Sequence, residues 1–164
     1  MRLALYEPDI PQNTGAIARL AACLGLALDI IEPAGFPVSD RAFRRAGMDY
    51  LDKVEIRRHS GFEVFDAWRR ARSAHLVLAT TRASLRYADF AFAAPDIVIF
   101  DRESAGAPEL VHARADARIL VPMREGLRSL NVALAAAMIA GEALRQTGLW
   151  PGMGKATVAG APAA

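Results

Sequence analysis

The sequence predicts an α/β protein: a parallel sheet covered by helices on both faces. Three observations carry that prediction. Short apolar runs alternate with amphipathic stretches along most of the 164 residues, which is the pattern of successive β–α units. Two of the runs, His75-Leu76-Val77-Leu78-Ala79-Thr80 and Asp96-Ile97-Val98-Ile99-Phe100, are apolar without polar alternation, as strands buried on both faces must be. The composition, 53% hydrophobic and 23% charged, belongs to a folded chain whose length suits a single core.

Each element follows from local chemistry. Arg2-Leu3-Ala4-Leu5-Tyr6 reads as a first strand, ended by Pro8 and Pro11. Asn13 is placed to cap a helix with Ile17, Leu20, Ala21 and Leu24 on one face, and Gly25 stops it. Leu28-Asp29-Ile30-Ile31 is a second strand closed by Pro33. Ser39 or Asp40 caps a short helix that runs through Arg45 and ends at Gly47. Val54-Glu55-Ile56 is a brief third strand, and residues 62–72 form a third helix. After the two central strands, Arg118-Ile119-Leu120-Val121-Pro122 is the last strand, and a long helix spans about 130–147 before Gly148. Residues 1–149 are thus expected to form one domain. Residues 150–164, which hold Gly, Pro and small residues without periodicity, read as a mobile tail.

Composition excludes several functions. The longest uncharged apolar stretch, 132–141, is about half of a membrane span. No basic-then-apolar leader opens the chain, so a cytoplasmic location is expected. The single cysteine, Cys23, allows no internal disulfide and is expected to be a buried thiol. His59, His75 and His112 lack ligand spacing, so no metal is expected. No Gly-x-Gly-x-x-Gly follows the first strand, and Gly154-Lys155-Ala156 lacks both the first glycine and the hydroxyl of a P-loop. No Gly-x-Ser-x-Gly elbow is present.

Charge is informative by position. The net charge is only +2, yet 18 of the 20 basic residues are arginine. A GC-rich genome writes the same bias, but residues 67–88 hold Arg69, Arg70, Arg72, Arg82 and Arg86 with no acid. Arg41, Arg44 and Arg45 form a second cluster, followed by Arg57 and Arg58. Such patches read as a phosphate track.

Three polar constellations sit where ligands bind on parallel sheets, at the strand ends. The first is Pro11-Gln12-Asn13-Thr14-Gly15 with Arg19, whose helical side chain leans back toward the N-terminus. The second is the loop Asp101-Arg102-Glu103-Ser104-Ala105-Gly106-Ala107-Pro108. The third is Val121-Pro122-Met123 with Arg128-Ser129-Leu130-Asn131 entering the long helix, where Ser129 or Asn131 serves as a cap. Each alone is an ordinary capped helix or turn, but three at one sheet edge make a site.

Together these motifs resemble the SPOUT superfamily of RNA methyltransferases: Tyr6-Glu7-Pro8 to Gly15 with Arg19, the Glu103-Ser104-Ala105-Gly106 loop, and Val121-Pro122-Met123 with Arg128 to Val132. Ile31-Glu32-Pro33-Ala34-Gly35-Phe36 and Arg44-Arg45-Ala46-Gly47-Met48-Asp49-Tyr50 narrow the likeness to the small tRNA wobble-nucleotide (cytidine/uridine) ribose 2′-O-methyltransferases, the YibK/TrmL-like group. The likeness covers about residues 2–148.

The resemblance implies a C-terminal deep trefoil knot, a homodimer, and S-adenosylmethionine bent into a pocket of knot loops. Ala79, Asp101, Gly106, Val121, Met123, Ser129 and Leu130 would hold the methyl donor. Arg19, Asn13, Glu103, Ser129 and Asn131 would form the reaction centre. Arg41, Arg44, Arg45, Arg82 and Arg86 would bind tRNA. An arginine side chain stays protonated in proteins, so Arg19 is expected to hold phosphate and stabilise developing negative charge rather than act as the base. Phosphate or solvent then takes the proton, and Glu103 orients its loop or Arg19.

Two positions depart from the family's pattern, Asp101 for glycine and Ala107 for leucine. A positive φ at 101 would disfavour the aspartate; otherwise it faces solvent or the donor's ribose hydroxyls. The alternatives are methylation at another tRNA or rRNA position, a non-catalytic homologue binding S-adenosylmethionine or RNA, and a ligand-free structural dimer.

Overall fold

The computed structural model of the chain describes residues 1–37 and 41–152. Seven strands form one sheet in the order β3-β2-β1-β6-β4-β7-β5. They are β1 (Arg2–Tyr6), β2 (Ala27–Ile31), β3 (Ile56–His59), β4 (Leu76–Ala79), β5 (Leu85–Arg86), β6 (Ile97–Phe100) and β7 (Ala117–Leu120). Every neighbouring pair is parallel. The helices are α1 (Pro11–Leu24), α2 (Arg41–Gly47), α3 (Phe62–Arg70), α4 (Glu109–Arg114) and α5 (Val132–Thr147), with 3₁₀ turns at Met48–Lys53 and Tyr87–Asp89.

Strand alternation sorts the core into two layers. Leu3, Leu5, Leu28, Ile30, Val77, Val98, Phe100 and Ile119 face Ile17, Ala21, Phe43, Ile139 and Leu144 of α1, α2 and α5. Ala4, Ile31, Leu76, Leu78, Ile97 and Ile99 face Phe62, Phe65 and Val111 of α3 and α4. Helices therefore cover both faces, as the continuous apolar strands require. α1 lies tightly on α2 because Gly15 permits it: a Cβ there would stand 2.6 Å from the Phe43 carbonyl oxygen.

The structure corrects five local expectations. Asn13 does not cap α1; the helix begins at Pro11, with Ile10 extended at the cap position. Proline at the first helical position loses no hydrogen bond and presets φ. Cys23 is exposed, because two residues at about 100° each turn it away from buried Ala21. The third strand starts at Ile56, where Ile56–His59 pairs with Leu28–Ile31. α4 and the short β5 carry no strong pattern and went unread. Arg69 is not on a phosphate track.

Arg69 is buried, and its guanidinium is used up internally. Its Nε donates to Asp66 (2.8 Å), Nη1 to Asp116 (2.8 Å) and the Ala74 carbonyl (3.2 Å), and Nη2 to the Arg114 carbonyl (2.8 Å). A second such knot joins Asp29, fully buried, to Arg2 Nε (2.6 Å) and His59 Nε2 (2.8 Å). The expected Ser39 or Asp40 cap of α2 lies outside the described residues. Trp150 packs against the α1/α5 layer, and residues 153–164 of the expected tail lie outside the described residues. Among the described residues no helix is long and apolar enough to cross a membrane.

Arg69→Ala leaves Asp66 its bonds to Arg70 and Arg114 but strips the Ala74 and Arg114 carbonyls of their buried donor. It therefore lowers unfolding free energy by about 1–3 kcal/mol, measured by urea denaturation; a loss under ~1 kcal/mol contradicts its structural role.

Candidate active site

β1, β6, β4 and β7 are adjacent, so their carboxyl ends place the segments after Tyr6, Ala79, Phe100 and Leu120 side by side. Ligands on parallel sheets bind at such an edge. A cavity of about 440 Å³ opens there, closed on one side by the start of α5.

All seven residues expected to hold a donor molecule line it: Ala79 at the end of β4, Asp101 and Gly106 after β6, Val121 and Met123 after β7, and Ser129 and Leu130 before α5. Asn13, Glu103, Ser129 and Asn131 of the expected reaction centre line it too. These segments are up to 118 residues apart in sequence and are tied by hydrogen bonds. Asn131 Nδ2 donates to Asn13 Oδ1 (3.0 Å), and Asn13 Nδ2 donates to Glu103 Oε1 (3.3 Å). Asn131 is also the α5 cap, accepting from the Ala133 and Leu134 N–H groups (2.9 and 3.3 Å).

Arg19 does not line the cavity. On the exposed side of α1, its Nη1 lies 3.2 Å from Met48 Sδ, and its guanidinium lies 5.1 Å from the Tyr50 ring centroid. Glu103 therefore orients Asn13 and the Asp9 backbone, whose N–H it accepts at 3.4 Å, and not Arg19. Leaning back along the helix does not bring Arg19 in, because α2 and the following 3₁₀ turn pack beside α1 and engage it.

Asp101 has an ordinary negative φ; among the described residues only Glu7, Met48 and Ser73 have positive φ without being glycine. Glycine is needed instead at Gly106, where φ is +71°. Asp101 faces the cavity with the Thr80 hydroxyl donating to it. Burial pushes its carboxyl above the usual carboxylate range, and the Thr80 bond only partly offsets this.

Sequence reasoning missed Asp9, Thr80, Arg102, Ala135 and Ile139. Thr80 stood directly after an apolar strand, and Ala135 and Ile139 continue one helical face from Asn131. No sequence signal marks Asp9.

Of the expected RNA contacts, Arg41, Arg44 and Arg45 are exposed on α2. Arg82 and Arg86 are exposed but paired, Arg82 with Glu109 (2.6 Å) and Arg86 with Asp89 (2.5 Å). Among the described residues no group of His, Cys, Asp or Glu is arranged to hold a metal ion.

Fold and cavity define an α/β protein with a cavity at the carboxyl edge of a parallel sheet, where such folds take small-molecule ligands. A model of the SpoU rRNA Methylase family matches residues 1–141, and the chain belongs to that family. A tRNA (cytidine(34)-2'-O)-methyltransferase of Ancylobacter novellus is 66% identical over 148 residues, covering 90% of this chain and 94% of that one. A protein of the same name from Beijerinckia indica is 62% identical over 146 residues, covering 89% and 91%. A solved structure described as giving insights into the 2-OH methylation of C/U34 on tRNA matches with a TM-score of 0.82 at 40% identity, over 88% of this chain and 94% of that one. The SpoU methyltransferase AviRb of Streptomyces viridochromogenes, solved with AdoMet, matches with a TM-score of 0.83 at 28% identity, over 88% and 60%.

The raised Asp101 carboxyl has a stability signature. An acid whose folded pKa lies above its unfolded one weakens the fold as pH rises through that interval. Asp101→Asn therefore raises the thermal midpoint at pH 7.5 and leaves it unchanged near pH 3, as followed by circular dichroism. An equal effect at both pH values contradicts the assignment.

Proposed function

We propose that this chain transfers a methyl group from S-adenosylmethionine to the ribose 2′-hydroxyl of the wobble nucleotide, cytidine or uridine 34, of tRNA. One observation carries the reading. Asn13, Glu103, Ser129 and Asn131 meet the seven donor-site residues in a single cavity, in a chain 66% identical to a relative named for that reaction.

The cavity suits the donor. Its volume is in the range of nucleoside-sized ligands, about 300–1,000 Å³. Ala79, Val121, Met123 and Leu130 offer apolar walls and backbone groups for the adenine. Asp101 beside Gly106 offers an acceptor for ribose hydroxyls, and Asp101 and Glu103 together suit a cationic sulfur. Bound there, S-adenosylmethionine supplies an already activated methyl group. For that reason the proposed reaction uses no metal.

The chain's own residues supply position and charge. Asn131 is fixed from two sides, by the α5 N-terminus and by Asn13, and with Ser129 it orients the acceptor ribose. Such placement removes much of the entropic barrier. Arg19, on the solvent side, holds a backbone phosphate instead of touching the reacting oxygen. Arg41, Arg44 and Arg45 extend that charged surface, and Arg82 and Arg86 exchange their carboxylate partners for phosphates. A tRNA substrate sets the cytoplasm as the working compartment.

A homodimer, with the C-terminal loops threaded as a trefoil knot, completes the reading. An exposed apolar strip supports the dimer: Leu134 is 56% and Met138 42% exposed on α5, next to Leu130 and Leu127. Sedimentation velocity is expected to give twice the 17.7 kDa chain mass; a monomer at micromolar concentration overturns the assignment.

The deciding experiment incubates the purified chain with labelled S-adenosylmethionine and unmodified tRNA, then maps the methyl by nuclease digestion and mass spectrometry. A ribose methyl at nucleotide 34 is expected, as is at least a hundredfold loss in Arg19→Ala with donor binding retained. Transfer to another nucleotide, or none, overturns the reading. Binding to tRNA should also weaken steeply with salt. Replacing Arg41, Arg44 and Arg45 together by alanine should reduce the slope of log K against log salt by about 2–3; an unchanged slope removes them from the interface.

A further inference from the structure

Beside Glu103, which lines the cavity, stands a carboxyl group that none of the motifs explains. Asp9, in the turn between β1 and α1, lies against Glu103, and its backbone N–H donates to Glu103 Oε2 (3.4 Å). Asp9 Oδ1 is buried without a hydrogen-bond partner. Asp9 Oδ2 stands 3.5 Å from Arg102 Nε. Gly35 packs on the other side, where a Cβ would come within 3.0 Å of Asp9 Cα and Cβ, so the Asp9 carboxyl has little room to turn away.

Neighbouring carboxyl groups partly out of water oppose each other's ionisation. We propose that Glu103 accepts the proton of the attacking ribose hydroxyl, and that Asp9 is the positioning residue of this carboxyl pair. The proposal rests on the methyl-transfer reading above. As the 2′-O–H bond breaks, its proton passes to a Glu103 carboxylate oxygen. The oxygen's electron pair forms the O–CH₃ bond, and the pair of the broken S–CH₃ bond remains on sulfur, leaving a neutral thioether.

The surroundings favour this assignment over the alternatives. Arg19 lies outside the cavity and a phosphate diester is a very weak base, whereas a carboxylate held above its ordinary pKa is a better acceptor near neutral pH. Burial, and then the neighbouring Asp9, hold Glu103 above the usual range. Burial opposes ionisation of Asp9 as well, but hydrogen bonds from Glu103 and Ser104 and the charge of Arg102 hold it below that range. The other groups facing the pair are few. Arg102 is also bonded to Glu7 (3.4 Å). Tyr6, pushed up to about 12 by burial and by Glu7, stays neutral. Asn13 from α1 and Asn131 from α5 are uncharged, and Asp101 shares the cavity wall.

The test combines turnover with a titration that needs neither RNA nor donor. With saturating tRNA and S-adenosylmethionine, kcat should rise with pH as the pair loses its proton. Glu103→Gln should lower kcat by about 10²–10⁴. Asp9→Asn should move the acid limb to lower pH. In the ligand-free full chain, carbon-13 carboxyl NMR should show Glu103 titrating above the ordinary value of about 4.3 and moving down in Asp9→Asn. Near-normal kcat in Glu103→Gln, or a Glu103 carboxyl that does not move in Asp9→Asn, overturns the proposal. Absence of methyl transfer by the wild-type chain instead overturns the reading beneath it, since the titration is independent of turnover.

Discussion

Everything at the carboxyl edge of the sheet hangs on the placement of Asn13. Its amide donates to Glu103 and accepts from Asn131, so one side chain joins the start of α1, the loop after β6 and the cap of α5. An amide suits this position because it offers a donor and an acceptor in one plane; a carboxylate would have no proton to donate to Glu103. The helix start makes the geometry possible. With Pro11 as the first helical residue, Asn13 lies inside the first turn and its side chain is free to bridge instead of cap. The capping duty passes to Asn131, which satisfies the α5 N–H groups and holds Asn13 with its other end. Asn13 is thus positioned by the first turn of α1, and Asn131 by its bonds to the α5 N–H groups.

The arginine-rich composition divides into two populations with different physics. Arg2 and Arg69 are structural: each meets a buried aspartate, and Arg69 satisfies two carbonyls as well. A guanidinium is suited to this because its five donors spread in a plane. Arg41, Arg44 and Arg45 stand exposed on α2, near the side of α1 that carries Arg19. Their side chains face solvent. Sequence position alone does not separate the two populations; depth does.

The cavity combines apolar walls with two carboxyl groups whose ionisation is held back by burial, Asp101 and Glu103. Such groups are costly to the fold and persist where function uses them. In the proposed reaction Asp101 serves the donor, and Glu103, beside Asp9, serves the acceptor.

Much of this protein was legible from its residues in order. Continuous apolar runs such as Leu76–Ala79 and Ile97–Phe100 announced buried parallel strands, and Gly25 and Gly148 marked helix ends, because these features depend on local periodicity and backbone freedom. Three motif loops identified the cavity, since strand ends in a parallel sheet share one edge whatever the strand order. What only the tertiary structure decided depends on distance through space. Asp9 opposes Glu103 across 94 residues, Arg69 turns inward to Asp66 and Asp116, and Arg19 rests on Met48 and Tyr50. None of these leaves a trace in local pattern, because burial and pairing are set by which elements pack together, not by which residues follow one another.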